Sequence, residues 1–173
     1  MTHTYNIPTG LEKSASTDAT RYIMNGVHFN AEHDEWAATD GTLLTVYPEA
    51  ANGRPSVIIP LEAVKRHRKT GMPLEFDGAR TVTCGGQEFG VIEGIYPYYR
   101  QVIPKAEEYA EHFVCINALA LERILAAMPR SERKTCRVRL RLAGKNPDRS
   151  PVVIESMEKD GPRAVLMPLR VDR

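Results

Sequence analysis

The chain is expected to be an α+β protein in which one strand-helix-strand pattern is used about three times. Three observations predict this. Short apolar runs of strand length are separated by hairpin dipeptides, Asp77-Gly78 and Gly85-Gly86. Two stretches carry helix signals, each directly after an apolar strand. Cys136–Leu142 alternates apolar and basic residues with period two, the mark of a half-buried antiparallel strand.

The first copy of the pattern is the least complete. Tyr5-Asn6-Ile7 reads as its strand, and Leu11–Ser16 as a helix too short to be stable alone. Arg21–Asn30 and Trp36–Tyr47 read as strands joined through Glu32-His33-Asp34, with Asp40-Gly41 in a hairpin-turn role. The second copy is the clearest. Ser56–Pro60 is a strand, Leu61–Lys69 a helix, and Gly71 suits the left-handed position that closes it. Leu74–Phe76, Thr81–Cys84 and Glu88–Ile92 follow as strands. Lys105–Glu111 is a charged connector. The third copy opens with Phe113–Ile116, and Asn117 can cap the next helix. There Leu121, Ile124, Leu125 and Met128 fall on one face, and Pro129 ends the run. Cys136–Leu142, Val152–Ile154 and Ala164–Val171 complete it as strands, with Arg137, Arg139 and Arg141 facing away from Val138, Leu140 and Leu142. Such a half-unit cannot bury both its sheet and its helix alone, so it needs a neighbour to share its core and its edge strand.

Composition narrows the function classes. At 173 residues the chain can bury a real core, and 42% hydrophobic with 26% charged residues is an ordinary soluble balance. A net charge of +1 produces no global pull toward nucleic acid, so any DNA contact must be local. No apolar run reaches the roughly 20 residues of a membrane span, and Met1-Thr2-His3-Thr4 shows no signal-peptide pattern. A cytoplasmic location is expected, with no membrane partner. Cys84, Cys115 and Cys136 lack metal-ligand spacing and read as reduced thiols. The histidines are scattered and the carboxylates form no metal cluster. No catalytic residue, metal or cofactor is expected, and the chain is read as a non-enzyme. The densest basic run is Lys65-Arg66-His67-Arg68-Lys69. By residue type alone it is either a solvated helix end favoured by the macrodipole or a phosphate-tracking surface.

Four motifs in order, Arg21-Tyr22-Ile23-Met24-Asn25-Gly26, Ala38-Thr39-Asp40-Gly41, Tyr96-Pro97-Tyr98-Tyr99-Arg100-Gln101-Val102-Ile103-Pro104 and Val165-Leu166-Met167-Pro168-Leu169-Arg170, resemble the bacterial DNA polymerase III beta subunit, or sliding clamp, family. The resemblance implies a DNA clamp (processivity factor) fold of about one and a half domains. Residues 1–104 are similar to the family's complete middle domain with its first helix shortened, 105–111 form the linker, and 112–173 resemble the second half of its last domain. It also implies a function: encircling double-stranded DNA without sequence preference as a homo-oligomer. Because a family ring holds twelve half-units and this chain three, four chains would close one. Short linear motifs of polymerases and clamp-loader-type proteins would dock in a hydrophobic cleft. Met24, Thr39, Gly41, Leu44, Pro97 and Val102 would supply one side of it. Pro151, Val165, Leu166, Met167, Pro168, Leu169 and Arg170 would supply the other. Lys65, Arg66, Arg68 and Lys69 would face DNA. The chain departs from the family at Thr42-Leu43, where a His-Arg pair is usual, at Tyr98 in place of Asp, and at Gln101 in place of a second Arg. An alternative reading is a clamp-derived adaptor or decoy, from a phage or mobile element, that binds the same motifs without forming a ring.

Overall fold

In the computed structural model, residues 1–104, 114–126, 138–142, 150–157 and 162–168 are described. The chain divides into two units, Met1–Ile103 and Pro104–Arg173.

Unit 1 is made of two half-units that exchange strands. The first contributes β1 (His3–Tyr5), β2 (Gly26–Asn30), β3 (Glu35–Thr39) and β4 (Leu44–Pro48). The second contributes β5 (Val57–Pro60), α1 (Leu61–Thr70), β6 (Leu74–Phe76), β7 (Thr81–Cys84) and β8 (Gln87–Gly90). Two four-stranded antiparallel sheets result, ordered β4-β3-β2-β5 and β1-β6-β7-β8. Each sheet therefore contains a strand from the other half-unit. Side chains from both sheets and α1 form one core, including Tyr5, Val27, Phe29, Trp36, Ile59, Val64, Leu74 and Val82, all fully buried. Tyr5 meets Phe29 edge-on with ring centroids 5.2 Å apart, and Phe29 lies 4.9 Å from Trp36. These aromatic contacts join the two sheets across the core.

Local chemistry explains the element ends. Gly71 closes α1 at φ 68°, with its N–H donating to the His67 carbonyl at 2.8 Å. Gly85 and Gly86 both have positive φ in the β7–β8 hairpin, as a primed two-residue turn requires. Gly26 lets β2 lie against β5: a Cβ there would sit 2.5 Å from the Ile59 carbonyl oxygen.

The expected first helix is reduced to a 3-10 turn, Leu11–Ser14. Only Leu11 and Ser14 of it are buried, so the turn has too little apolar face to support a full helix. The expected strand Arg21–Asn30 is also corrected: Ala19–Met24 is 3-10, and the strand begins at Gly26. Asp18 accepts the Thr20 N–H at 2.9 Å, a cap that favours the turn over extension. The third strand of the second copy ends at Gly90, short of Ile92.

Unit 2 contains α2 (Ala118–Ala126), β9 (Val138–Leu142), β10 (Val152–Ser156) and β11 (Arg163–Leu166). The sheet is antiparallel in the order β11-β10-β9. Asn117 Oδ1 accepts from the Leu119 and Ala120 N–H groups at 3.0 and 3.2 Å, the cap expected from the sequence. Val152, Ile154 and Leu166 form the small core against Leu121 and Ile124 of α2. Val114–Ile116 precede the helix but are not in a strand. Phe113, Met128, Pro129, Cys136 and Arg137 lie outside the described residues, as do 105–111.

Candidate ligand surfaces

The segment Tyr96–Arg100 packs on the outer face of sheet β4-β3-β2-β5. Tyr96 and Tyr99 are buried there with Ala37 and Ile58, and Ile23 and Leu44 pack against them. This leaves β3 buried along its whole length, since both sheet faces are covered. The contacts are specific. The Thr39 N–H donates to the Tyr96 hydroxyl at 3.1 Å. The Tyr99 hydroxyl donates to Glu35 Oε1 at 2.7 Å, and the Arg100 guanidinium reaches the same oxygen at 2.7 Å. The Glu35 side chain is 10% exposed, so its charge is held by two donors inside the protein. Burial pushes both tyrosine hydroxyls above their ordinary range. His28 stacks on Tyr96 at 4.6 Å between centroids, and burial lowers its pKa to about 4 against an opposing pull from Glu35.

This packing brings together Thr39, Leu44 and the segment bearing Pro97 and Val102. Thr39 is buried, and its hydroxyl donates to the Leu43 carbonyl at 2.6 Å while accepting the Gly41 N–H at 3.0 Å. Gly41 is exposed at φ 90° beside Arg21. Met24 and Leu44 are half-buried, Pro97 is exposed, and Val102 is 66% exposed. Tyr98 is exposed beside them. In unit 2, Pro151 and Pro168 are half-buried, Val165 and Met167 are exposed, and Leu166 points into the core. Leu169 and Arg170 lie outside the described residues.

Two grooves were not read from the sequence. One, of about 460 Å³, runs between α2 and β11 and is lined by Ala120, Arg123, Ile124 and Pro162 to Leu166. Val165 and Leu166 are among the expected cleft residues; their helix-side neighbours are not. The other, of about 690 Å³, lies in unit 1 between Tyr22, Asn25, the start of α1 and Val91 to Glu93. Residues from four separate segments line it, so no local motif reports it.

The basic run on α1 does not act as one surface. Arg68 donates to the Ile7 and Pro8 carbonyls at 2.8 and 2.6 Å and pairs with Glu12 at 3.0 Å. It ties the helix to the shortened first half-unit. Arg66 is half-buried, with its Nε buried and unpaired among the described residues. Lys65 and Lys69 are exposed, and neither is in an ion pair among the described residues. On α2, Arg123 stands beside Glu122. Among the described residues no group of three His, Cys, Asp or Glu side chains is placed to hold a metal, and no helix is long and apolar enough to cross a membrane.

No protein-family model matches the chain, and no curated protein matches it. Among solved structures it is similar to the DNA polymerase III beta chain of Streptococcus pneumoniae TIGR4, with 19% identity and a TM-score of 0.62. The fold is that of the clamp. The match covers 91% of this chain and 45% of the other, so this chain spans less than half the length of that beta chain. At this identity the likeness is one of architecture: α+β, in shortened form.

Proposed function

We propose that the chain is a reduced sliding-clamp-type processivity factor. The observation that carries this reading is the clamp fold itself, extending over 91% of the chain. The protein encircles double-stranded DNA as a homo-oligomer and does no chemistry. It holds polymerases and clamp-loader-type proteins near DNA by binding their short linear motifs, which converts weak contacts into high local concentration. Met24, Leu44, Pro97 and Val102 form one apolar wall of the motif site, with Thr39 and Gly41 shaping the turn behind it. Pro151, Val165, Leu166, Met167, Pro168, Leu169 and Arg170 form the other. Exposed Met and Val side chains suit a site that accommodates varied peptides. Lys65 and Lys69 supply phosphate contacts, with Arg66 beside them.

A second reading, a motif-binding adaptor that forms no ring, has one observation in its favour. Of the two α-helices among the described residues only α1 carries a basic cluster, and Arg68 within it is bonded internally. End-blocked DNA separates the two readings. A ring can thread onto a linear biotinylated duplex through its ends. Once streptavidin caps both ends, the ring stays on through a high-salt wash and leaves when the duplex is cut. Release by salt with both ends capped would eliminate the ring and leave the adaptor.

A further inference from the structure

Unit 1 shows how two half-units of this kind complete each other. Each gives its first strand to the other: β1 pairs antiparallel with β6, and β5 pairs antiparallel with β2. With β1 in place, Leu74 and Phe76 of β6 are 0% and 4% exposed.

The described residues of unit 2 hold a single half-unit in the same order: Val114–Ile116, the Asn117 cap, α2, β9, β10 and β11. Strand β9 stands where β6 does. In unit 1, Leu74 opposes Cys84 and Phe76 opposes Val82; in unit 2, Leu140 opposes Ile154 and Leu142 opposes Val152. One strand further, Val82 opposes Phe89 as Val152 opposes Leu166. Val82, Cys84, Val152 and Ile154 are all buried, so the inner rows agree. The outer rows do not, because Leu140 and Leu142 are 58% and 50% exposed. Strand β9 ends its sheet, and among the described residues no strand pairs with its free edge or with Val114–Ile116. The open backbone groups of such an edge, beside two uncovered leucines, favour pairing with another strand.

We infer that the C-terminal half-units of two copies of this chain pair with each other, each laying Val114–Ile116 antiparallel along β9 of the other. A second copy fits because the exchange is reciprocal. Among its described residues each copy has one unpaired segment in the first-strand position, Val114–Ile116, and one uncovered β9, so a two-fold, isologous contact satisfies both at once. Charge selects this exchange over pairing of the two β9 strands. Direct β9–β9 contact brings Arg139 and Arg141 of both copies together, whereas Val114–Ile116 is uncharged. Unit 1 also supplies the register. Tyr5, three residues before the proline that leads into its helical segment, opposes Leu74 of β6, the strand whose place β9 takes. Val114 holds that place before Asn117 and so opposes Leu140, which sets Cys115 opposite Arg139 and Ile116 opposite Val138.

The test uses the full chain without DNA. Directly opposed antiparallel residues have Cα atoms roughly 4.5–5.5 Å apart, within disulfide reach. In a Cys136→Ser background, Arg139→Cys is expected to form a covalent dimer with Cys115 under mild oxidation, and adding Cys115→Ser abolishes it. Light scattering is expected to give an even number of chains. Leu140→Asp with Leu142→Asp should at least halve that mass while the thermal transition of unit 1 persists. A single-chain mass at every concentration overturns the proposal, as does an Arg139→Cys chain that never crosslinks between copies. The proposal stands apart from the ring. A crosslinked dimer that washes off end-blocked DNA rejects the ring and keeps this interface, while a retained ring without the crosslink does the reverse.

Discussion

His28 is the residue whose burial has the plainest consequence. Its ring stacks on Tyr96, and its Nδ1 is buried with no hydrogen-bond partner among the described residues. Folding holds its pKa at about 4, below the usual 6.5, so the unfolded chain takes up a proton that the folded chain refuses. The stability His28 confers is fully present above pH 6.5 and is lost progressively as the pH falls toward 4. Between pH 6.5 and 5 the loss should be about 2 kcal/mol, at roughly 1.4 kcal/mol per pH unit. Urea denaturation of wild type and His28→Phe across that window checks it. Equal pH slopes in the two proteins would refute the assignment. The same neighbourhood shows what the sequence made legible. The tyrosine-rich segment is conspicuous in the sequence, and it divides into buried Tyr96 and Tyr99 and exposed Tyr98. Glu35, the buried carboxylate that anchors Tyr99 and Arg100, lies over sixty residues away in sequence and carried no signal of its own.

At the scale of elements, α1 separates two roles that one charge run conceals. Lys65 and Lys69 point to solvent, while Arg68 crosses to the Ile7 and Pro8 carbonyls and Glu12. Arg68→Ala should therefore cost about 1–3 kcal/mol of unit 1 stability by leaving part-buried acceptors unpaired. Lys65→Ala with Lys69→Ala should leave stability within about 0.5 kcal/mol. The lysine pair should instead weaken duplex binding and reduce its salt slope by about 2, one per lost phosphate contact. Urea denaturation and DNA titration over a salt series measure the two effects. A salt slope that ignores both lysines would remove α1 from the DNA surface. Helix α1 itself was readable because its stop signal, Gly71, is local. The shortening of the first helix was readable too, but its full collapse to a 3-10 turn was not, because that depends on how little of Leu11–Ser14 the core accepts.

For the whole molecule, the number of half-units is the governing quantity. Unit 1 uses two to make one core, and the described residues of unit 2 form one. Two chains joined through unit 2 would hold three complete domains, and four chains the six of the ring that the clamp resemblance implies. The proposed motif site makes a prediction at this scale, through the residues that unit 2 is proposed to supply. Met167→Ala with Leu169→Ala should weaken binding of a clamp-binding peptide roughly tenfold, about 1.4 kcal/mol, without lowering the unfolding temperature of unit 1. Fluorescence anisotropy with a labelled peptide measures it, and unchanged affinity would reject the C-terminal wall.

The sequence by itself determined the α+β class, most strands, both main helices, the Asn117 and Gly71 caps and the clamp resemblance. All of these rest on local periodicity, turn chemistry or short motifs. Only the tertiary structure decided that β1 and β5 cross between half-units, that Arg68 is internal, and that Leu140 and Leu142 are uncovered. The physical reason is that alternation along β9 marks which face is apolar, but burial of that face requires a partner strand. Whether one is present depends on residues distant in the chain or on another molecule.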